Sequence, residues 1–176
     1  MNLSLPADAL VVLIGPSGAG KSTFAARHFA ATEVLSSDAF RAMVADDPND
    51  QSATDAAFEL LHTALALRLG RGRLAVVDAT NVEPWARERL LPKAGRHRRQ
   101  AVAIVFDLPL ALCLERNVAR TDRRVPAAAV RRQHARMRAS MPGLADEGFA
   151  VVTFGSADEV DAARVTRRVA EARPAP

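Results

Sequence analysis

The sequence has very little cysteine, lysine and aromatic residue. Cys113 is the only cysteine among 176 residues, so the chain cannot form an internal disulfide, as is usual for a cytoplasmic protein. With seven Phe, one Trp and no Tyr, the chain shows no evident aromatic platform for nucleobases. We therefore expect any contact with nucleic acid to rely on phosphates and aliphatic groups. The four histidines lack metal-ligand spacing, which argues against a histidine metal site.

Long apolar runs are also missing. The two longest, residues 9–14 and 101–106, hold six residues each, whereas a helix that spans a bilayer needs about 20. The N-terminus has neither the basic start nor the apolar stretch of a signal peptide. We expect a cytoplasmic protein without a membrane segment, with one domain over residues 1–172 and a linker-like tail at 173–176.

Positive charge is carried by arginine and is unevenly distributed. Of 24 basic residues, only Lys21 and Lys93 are lysines. Residues 1–60 hold three basic and eight acidic residues, whereas residues 116–138 hold eight arginines and one aspartate. A basic segment of this kind suits a phosphate-rich ligand, and a solvated helix face is the alternative interpretation.

Short apolar runs alternate with amphipathic segments. Runs rich in β-branched residues predict five strands, at 10–14, 33–36, 74–79, 101–107 and 149–154. Helices are predicted at 21–30, 38–45, 54–70 (capped by Thr54), after Pro84, from about Leu110, after Pro126, and at 157–172. This alternation predicts a three-layer α/β fold, a central five-stranded parallel sheet with helices on both faces.

The first predicted strand runs into a phosphate-binding motif. Residues 15–22 read Gly-Pro-Ser-Gly-Ala-Gly-Lys-Ser, which matches the P-loop (Walker A) pattern G-x-x-x-x-G-K-[ST]. The backbone of such a loop cradles phosphates, its lysine reaches the β- and γ-phosphates, and its hydroxyl binds Mg²⁺. We predict that ATP or another nucleoside triphosphate contacts Gly15, Ser17, Gly18, Ala19, Gly20, Lys21, Ser22 and Thr23.

Two features of the sequence reduce the number of P-loop protein classes to which the chain can belong. Neither lysine stands in an N-K-x-D guanine motif, which argues against a GTPase. The chain has no room for the extra elements of an ATPase motor. A small phosphotransferase, a P-loop kinase, remains.

Polar residues at or just after the ends of the second and third strands are candidates for chemistry. Asp38 either accepts a proton from an attacking hydroxyl, holds Mg²⁺ through water, or caps a helix. Arg41, one turn later, either grips an acceptor phosphate or pairs with Asp38. Asp78 is a candidate for the water shell of Mg²⁺ or for turn formation, and Asn81 for acceptor contact or capping.

Three arginines recur at spacings of four and three. Arg116, Arg120 and Arg123 share one face if the helix from about Leu110 continues through them. Guanidinium groups suit the charge that spreads over a transferring phosphoryl group. We therefore predict an arginine-rich lid at about 116–126 that closes over ATP, with a solvated face as the alternative.

Together these motifs resemble the kinase module of bacterial polynucleotide kinase-phosphatase, an RNA end-repair enzyme. The resemblance rests on the P-loop and on four further segments, at 36–41, 46–51, 76–82 and 115–123. It implies ATP- and Mg²⁺-dependent phosphorylation of 5′-hydroxyl ends of RNA or DNA. It also implies phosphatase and ligase-like domains downstream of such a module.

The resemblance also implies roles for individual residues. Lys21 and Ser22 match the groups that hold phosphates and Mg²⁺, and Asp38 matches the general base. Arg41 matches the residue that engages the acceptor, and the loop at Gln51 would border the acceptor path. Arg116, Arg120 and Arg123 match the lid arginines on the donor phosphates.

Two other functions remain open from the sequence. A small-molecule kinase, acting on a sugar or nucleotide-sugar, would use the same P-loop and lid. A module that binds ATP or nucleic acid without transfer would need neither Asp38 nor the lid arginines.

Overall fold

The structure is a computed structural model that describes residues 1–121 and 124–169. In this part of the chain a five-stranded sheet has the order β3-β4-β2-β5-β6, and all of its strand pairs are parallel. The strands are β2 (Leu10–Ile14), β3 (Val34–Ser36), β4 (Ala75–Asp78), β5 (Ala101–Phe106) and β6 (Ala150–Phe154). The predicted α/β fold and its five-stranded parallel sheet are therefore confirmed.

Helices cover both faces of the sheet. They are α1 (Lys21–His28), α2 (Ser37–Ala45), α3 (Thr54–Gly70), α4 (Pro84–Glu88), α5 (Leu91–Arg96), α6 (Leu110–Ala119), α7 (Ala127–Ser140) and α8 (Ala157–Asp161). In the described residues, no helix has the length and the apolar character that crossing a bilayer requires.

Two hydrophobic cores lie on the two faces of the sheet. Val11 and Leu13 of β2 pack into the core that contains Phe24 of α1, whereas Leu10, Val12 and Ile14 pack into the other core. This second core holds the buried stripe of α3, formed by Leu61, Leu65 and Leu69. Burial on both faces explains why β2 is an unbroken apolar run rather than an alternating one.

The first helix is fixed to the sheet by aromatic contacts. Phe24 of α1 packs on Phe106 and Phe154, the last residues of β5 and β6, with ring centroids 5.4 and 5.6 Å apart. All three rings are buried. Because α1 begins at the end of the P-loop, these contacts fix the orientation of that loop against the sheet.

A second, two-stranded sheet was not predicted. Strand β1 (Asn2–Pro6) pairs in parallel with β7 (Arg164–Arg168). The prediction of a helix over 157–172 was wrong, because α8 ends at Asp161 and β7 follows. Leu3 and Leu5 of β1 are buried in the same core as Phe24, which gives this small sheet its packing face. The predicted tail at 173–176 lies outside the described residues.

Two helix ends also differ from the prediction. Thr54 does not cap α3: it is the first residue of the helix, and its buried hydroxyl has no hydrogen-bond partner in the described chain. Helix α6 ends at Ala119, and Arg120 is extended, with φ −67° and ψ 134°. Arg116 and Arg120 are therefore not neighbours on one continuous helical face.

His62 of α3 is a buried histidine beside Phe58, with ring centroids 6.2 Å apart. Its Nδ1 atom is buried and has no hydrogen-bond partner within residues 1–121 and 124–169. Burial lowers the pKa of His62 to about 4, and the charges of Lys93 and Arg89 act in the same direction. The fold therefore favours the neutral imidazole.

We predict that His62 makes the protein sensitive to acid. In the unfolded chain a histidine titrates near 6.5, so the stability that depends on neutral His62 is present above that pH and is lost as the pH falls from about 6.5 to about 4. When the pH is lowered from 7 to 4, wild type should lose about 3 kcal/mol more of its free energy of unfolding than His62→Leu loses. Denaturant unfolding at both pH values measures this. The same change at half-buried His97 is the control, and an identical gain there would contradict the assignment to His62.

Candidate active site

The P-loop connects β2 to α1 at the carboxyl end of the sheet. Gly18 and Gly20 adopt positive φ angles of 83° and 88°, a conformation that glycine enters without strain. Gly20 is the residue immediately before α1 and has no side chain that could cap the helix. The first N–H groups of α1 are therefore left for a ligand, and the helix dipole favours an anion there.

Gly18 also allows a close contact between the P-loop and α6. A Cβ atom added to Gly18 would lie 2.1 Å from the backbone oxygen of Cys113. Cys113 itself is buried. Gly18 thus serves packing as well as turn geometry.

Lys21 is a buried cation at the centre of the loop. Its side chain is 8% exposed, and its Nζ donates to the backbone oxygens of Gly15 (2.8 Å) and Pro16 (2.9 Å). Burial lowers the pKa of Lys21, and the negative charges of Asp78 and Asp38 oppose that shift. Both carboxylates are therefore electrostatically coupled to the residue expected to meet the phosphates.

Asp78 is the last residue of β4 and lies beside the P-loop. Burial raises its pKa, while Lys21 and a hydrogen bond from the Ser22 hydroxyl act to lower it. A hydroxyl and a carboxylate in contact are hard oxygen donors, which fit Mg²⁺ and its water shell. Within the described residues, no cluster of three or more His, Cys, Asp or Glu forms a metal cage.

Asp38 and Arg41 form an ion pair in the first turn of α2. Asp38 is not the cap of α2, because Ser36 Oγ accepts the capping hydrogen bond from Ala39 N–H. The side chain of Asp38 is 37% exposed and that of Arg41 is 6% exposed. Arg41 Nε also donates to the Pro48 oxygen at 3.0 Å. Arg41 is thus held from two sides, and the Asp38 carboxylate remains accessible from the cavity described next.

A cavity of about 1240 Å³ joins these groups. Its lining includes the predicted residues Ser17, Gly18, Gly20, Lys21, Ser22, Thr23, Asp38, Arg41, Gln51, Asp78, Asn81, Arg116 and Arg120. Gly15 and Ala19 belong to the loop, but they are not among the lining residues. Most candidates for the donor and acceptor sides therefore share one space.

Two residues predicted to contact an acceptor have different surroundings. Gln51 is exposed and its Nε2 donates to the Asn49 oxygen at 3.0 Å. Asn81 is buried at a positive φ of 50°, and its Nδ2 donates to the Leu13 oxygen at 2.8 Å. Asn81 therefore ties the turn after β4 to the end of β2, directly before the P-loop.

The arginine-rich segment lies partly over the cavity. Arg116 is close to the P-loop, because its Nη1 is 3.5 Å from the Cβ position of Gly20. Arg120 lines the cavity from beyond the end of α6. Arg123, the third predicted lid residue, lies outside the described residues. Of the other arginines, Arg136 pairs with Glu83 and Arg138 with Asp107.

Several residues at the cavity could not be identified from sequence. Gln133 of α7 accepts a hydrogen bond from Ser17 N–H at 2.9 Å, which joins the helix after the arginine-rich segment to the P-loop. Phe58, His62, Trp85 and Arg89 line the same cavity. Gln133 lies 116 positions from its partner, and Trp85 is an isolated aromatic residue, so neither produces a local sequence signal.

We predict that Gly18→Ala disrupts the P-loop. The added Cβ meets the Cys113 backbone, and the positive φ is strained for alanine, so stability should fall by about 2 kcal/mol or more and ATP binding should be lost. Denaturant unfolding and ATP titration measure the two effects. Gly143→Ala is the control, because an added Cβ there meets nothing within 4 Å. Wild-type ATP affinity in Gly18→Ala would contradict this account of the loop.

Solved structures share this fold at low sequence identity. A chain of the Pnkp1/Rnl/Hen1 RNA repair complex is 22% identical with a TM-score of 0.67, covering 80% of this chain and 47% of that one. A putative kinase from Chloroflexus aurantiacus is 19% identical with a TM-score of 0.62, covering 85% and 86%. The AvrRxo1-ORF1:-ORF2 complex with ATP is 18% identical with a TM-score of 0.65, covering 89% and 56%. The protein thus spans about half the length of the matched chain in the RNA repair complex.

A comparison with curated protein sequences finds no match. The family comparison is positive, because residues 10–144, more than half of the sequence, match the AAA domain family. This match begins at β2 and includes the P-loop, Asp38, Asp78 and the described part of the arginine-rich segment. The chain therefore belongs to the AAA domain family, and its fold is that of P-loop kinases.

Proposed function

We propose that this protein transfers the γ-phosphate of ATP to the 5′-hydroxyl end of RNA or DNA, as a polynucleotide kinase of nucleic-acid end repair. The observation that carries the proposal is the shared cavity, in which the P-loop, Asp38 and Arg41 line one continuous space. A donor phosphate and an acceptor hydroxyl can therefore meet without leaving the protein. The fold similarity to a chain of an RNA repair complex supports this acceptor class.

On the donor side, the chain offers positive charge and N–H groups to the phosphates. Lys21, whose ammonium group is bonded to two loop carbonyls, is the cation within the P-loop, and Arg116 and Arg120 line the same cavity from the lid segment. Ser22 would hold Mg²⁺ directly, and Asp78 and Asp38 would hold it through water. When bound, the ion neutralises charge on the β- and γ-phosphate oxygens. Fixed cations aimed at those oxygens stabilise the transferring phosphoryl group.

On the acceptor side, Asp38 is the proposed general base. Its carboxylate is accessible from the cavity and close enough to Lys21 to influence the lysine's pKa. It would accept the proton of the 5′-hydroxyl while that oxygen attacks the γ-phosphorus and the bond to the β-phosphate oxygen breaks. Arg41 holds the carboxylate in place and offers its guanidinium to a phosphate of the acceptor.

The main alternative is a kinase for a small acceptor such as a sugar, because one fold serves many substrates. Either kind of kinase needs room for an acceptor beside the donor, and the cavity provides that room. Sites for drug-sized ligands occupy about 300–1000 Å³, and this cavity of about 1240 Å³ leaves room for a second ligand beside the donor.

The function is tested with γ-labelled ATP, Mg²⁺ and one oligonucleotide that carries either a 5′-hydroxyl or a 5′-phosphate. We expect label on the hydroxyl end only, and a rate that falls steeply with salt, because a polyanionic acceptor releases counterions when it binds. A neutral sugar acceptor would show no such salt dependence. Labelled sugar with unlabelled oligonucleotide would favour the small-molecule alternative, and ATP bound but never consumed would favour a module without transfer.

Asp38→Asn should separate binding from transfer. The amide keeps the size of the side chain but cannot take the proton, so we expect kcat to fall by about 10²- to 10⁴-fold while ATP affinity stays within a few fold of wild type. Single-turnover transfer and ATP titration measure the two quantities. The exposed residue Asp158 of α8 provides the matched control, Asp158→Asn. Transfer at a near-normal rate by Asp38→Asn would refute the role of Asp38 as base.

A further inference from the structure

The one tryptophan of the chain is exposed where a ligand is expected. Trp85 is 69% exposed, and it lines the same cavity as the P-loop and Asp38. Tryptophan is on average a highly buried residue, because its ring carries a large apolar surface. A large exposed ring inside a ligand cavity therefore points to a partner that covers it.

Helix α4, which carries Trp85, is held in place by hydrogen bonds of a buried side chain. Two positions along α4, Arg87 is fully buried and makes a bidentate pair with Glu147, with Nε to Oε2 at 2.9 Å and Nη2 to Oε1 at 2.5 Å. Arg87 Nη1 also donates to the Asn81 oxygen at 2.8 Å. The helix turn that presents Trp85 is thus held in place before any ligand arrives, which reduces the ordering cost of binding.

A cation follows Trp85 at helical spacing. Arg89 lies four positions later, directly after the end of α4 and with helical backbone angles (φ −76°, ψ −11°), and it lines the same cavity. The Arg89 side chain makes no ion pair with any residue in the described part of the chain, whereas Arg136 and Arg138 are paired with carboxylates. An aromatic ring beside such a cation suits a nucleobase joined to a phosphate.

We propose that Trp85 and Arg89 form a subsite for the acceptor strand beyond its 5′-terminal nucleotide. Trp85 stacks on a nucleobase, and Arg89 contacts a backbone phosphate. This inference rests on the proposed polynucleotide kinase function and specifies its acceptor as a single strand of at least two nucleotides. It replaces the expectation that the protein grips nucleic acid through phosphates and aliphatic groups alone.

Trp85 can serve as an intrinsic fluorescent probe, because it is the sole tryptophan of the chain. Wild-type protein is titrated with a 5′-hydroxyl hexanucleotide, a dinucleotide and a nucleoside 3′-monophosphate, and Trp emission is recorded. We expect a saturable change with the first two ligands and none with the third. Binding of the hexanucleotide is measured independently by the anisotropy of a 3′-labelled copy. Bound hexanucleotide with unchanged Trp emission would overturn the subsite.

Kinetics of variants provide the second readout. Trp85→Ala should raise the KM of the hexanucleotide about 10-fold, in the lower range for loss of one base–aromatic stack, with a much smaller effect on kcat. Trp85→Phe should restore most of that loss, which a purely structural role would not predict. Leu67→Ala, at a residue 63% exposed and outside the cavity lining, is the matched control. Circular dichroism confirms that each variant is folded.

The role of Arg89 is tested by the salt dependence of oligonucleotide binding. Arg89→Ala should reduce the slope of log affinity against log salt by about one, as expected for one lost phosphate contact, and exposed Arg71, outside the cavity lining, provides the control Arg71→Ala. If the wild type neither binds nor phosphorylates any oligonucleotide, the proposed function fails and the subsite fails with it. If the hexanucleotide is phosphorylated but Trp85→Ala keeps the wild-type KM, only the subsite is overturned.

Discussion

A buried positive charge is the constraint around which the site is organised. Lys21 has its ammonium group enclosed by loop carbonyls, at 2.8 Å from Gly15 and 2.9 Å from Pro16, and burial lowers its pKa. Such a charge is costly unless other groups compensate it. Asp78 and Asp38 provide part of that compensation through space, and the carbonyls provide hydrogen bonds. A bound phosphate would supply the rest, so the loop is built to gain from an anionic ligand.

The order of the strands brings that compensation to the right place. Strands β3, β4 and β2 are adjacent and parallel, so Asp38, Asp78 and the P-loop all lie at or just after carboxyl ends, on one side of the sheet. The contact of Phe24 with Phe106 and Phe154 then sets the direction of α1. Sheet order and aromatic packing therefore position groups that are distant in sequence.

Local sequence patterns predicted the structural features that depend on neighbouring residues. They missed the features that depend on contacts between residues far apart in the chain. The apolar runs and the P-loop carry their own signals, and the sheet was predicted from them. Strand β7 was predicted as helix because its arginines hide a packing face that only Leu3 and Leu5, at the other end of the chain, reveal. The Arg87–Glu147 pair spans 60 positions, and Trp85 gains meaning only from the cavity around it. The contribution of Gln133 to the P-loop is likewise invisible in sequence.

A chain of hydrogen bonds connects the donor wall of the cavity to its acceptor wall. Asn81 holds the Leu13 oxygen with its side chain at 2.8 Å and gives its own backbone oxygen to Arg87, also at 2.8 Å. Arg87 continues the connection through Glu147 to the segment after α7, and Ser140 Oγ donates to the Val82 oxygen. Hydrogen bonds therefore connect the wall that carries Trp85 to Leu13, two residues before the P-loop. Because phosphoryl transfer depends on alignment more than on covalent chemistry by the protein, a rigid link of this kind matters as much as the reactive groups themselves.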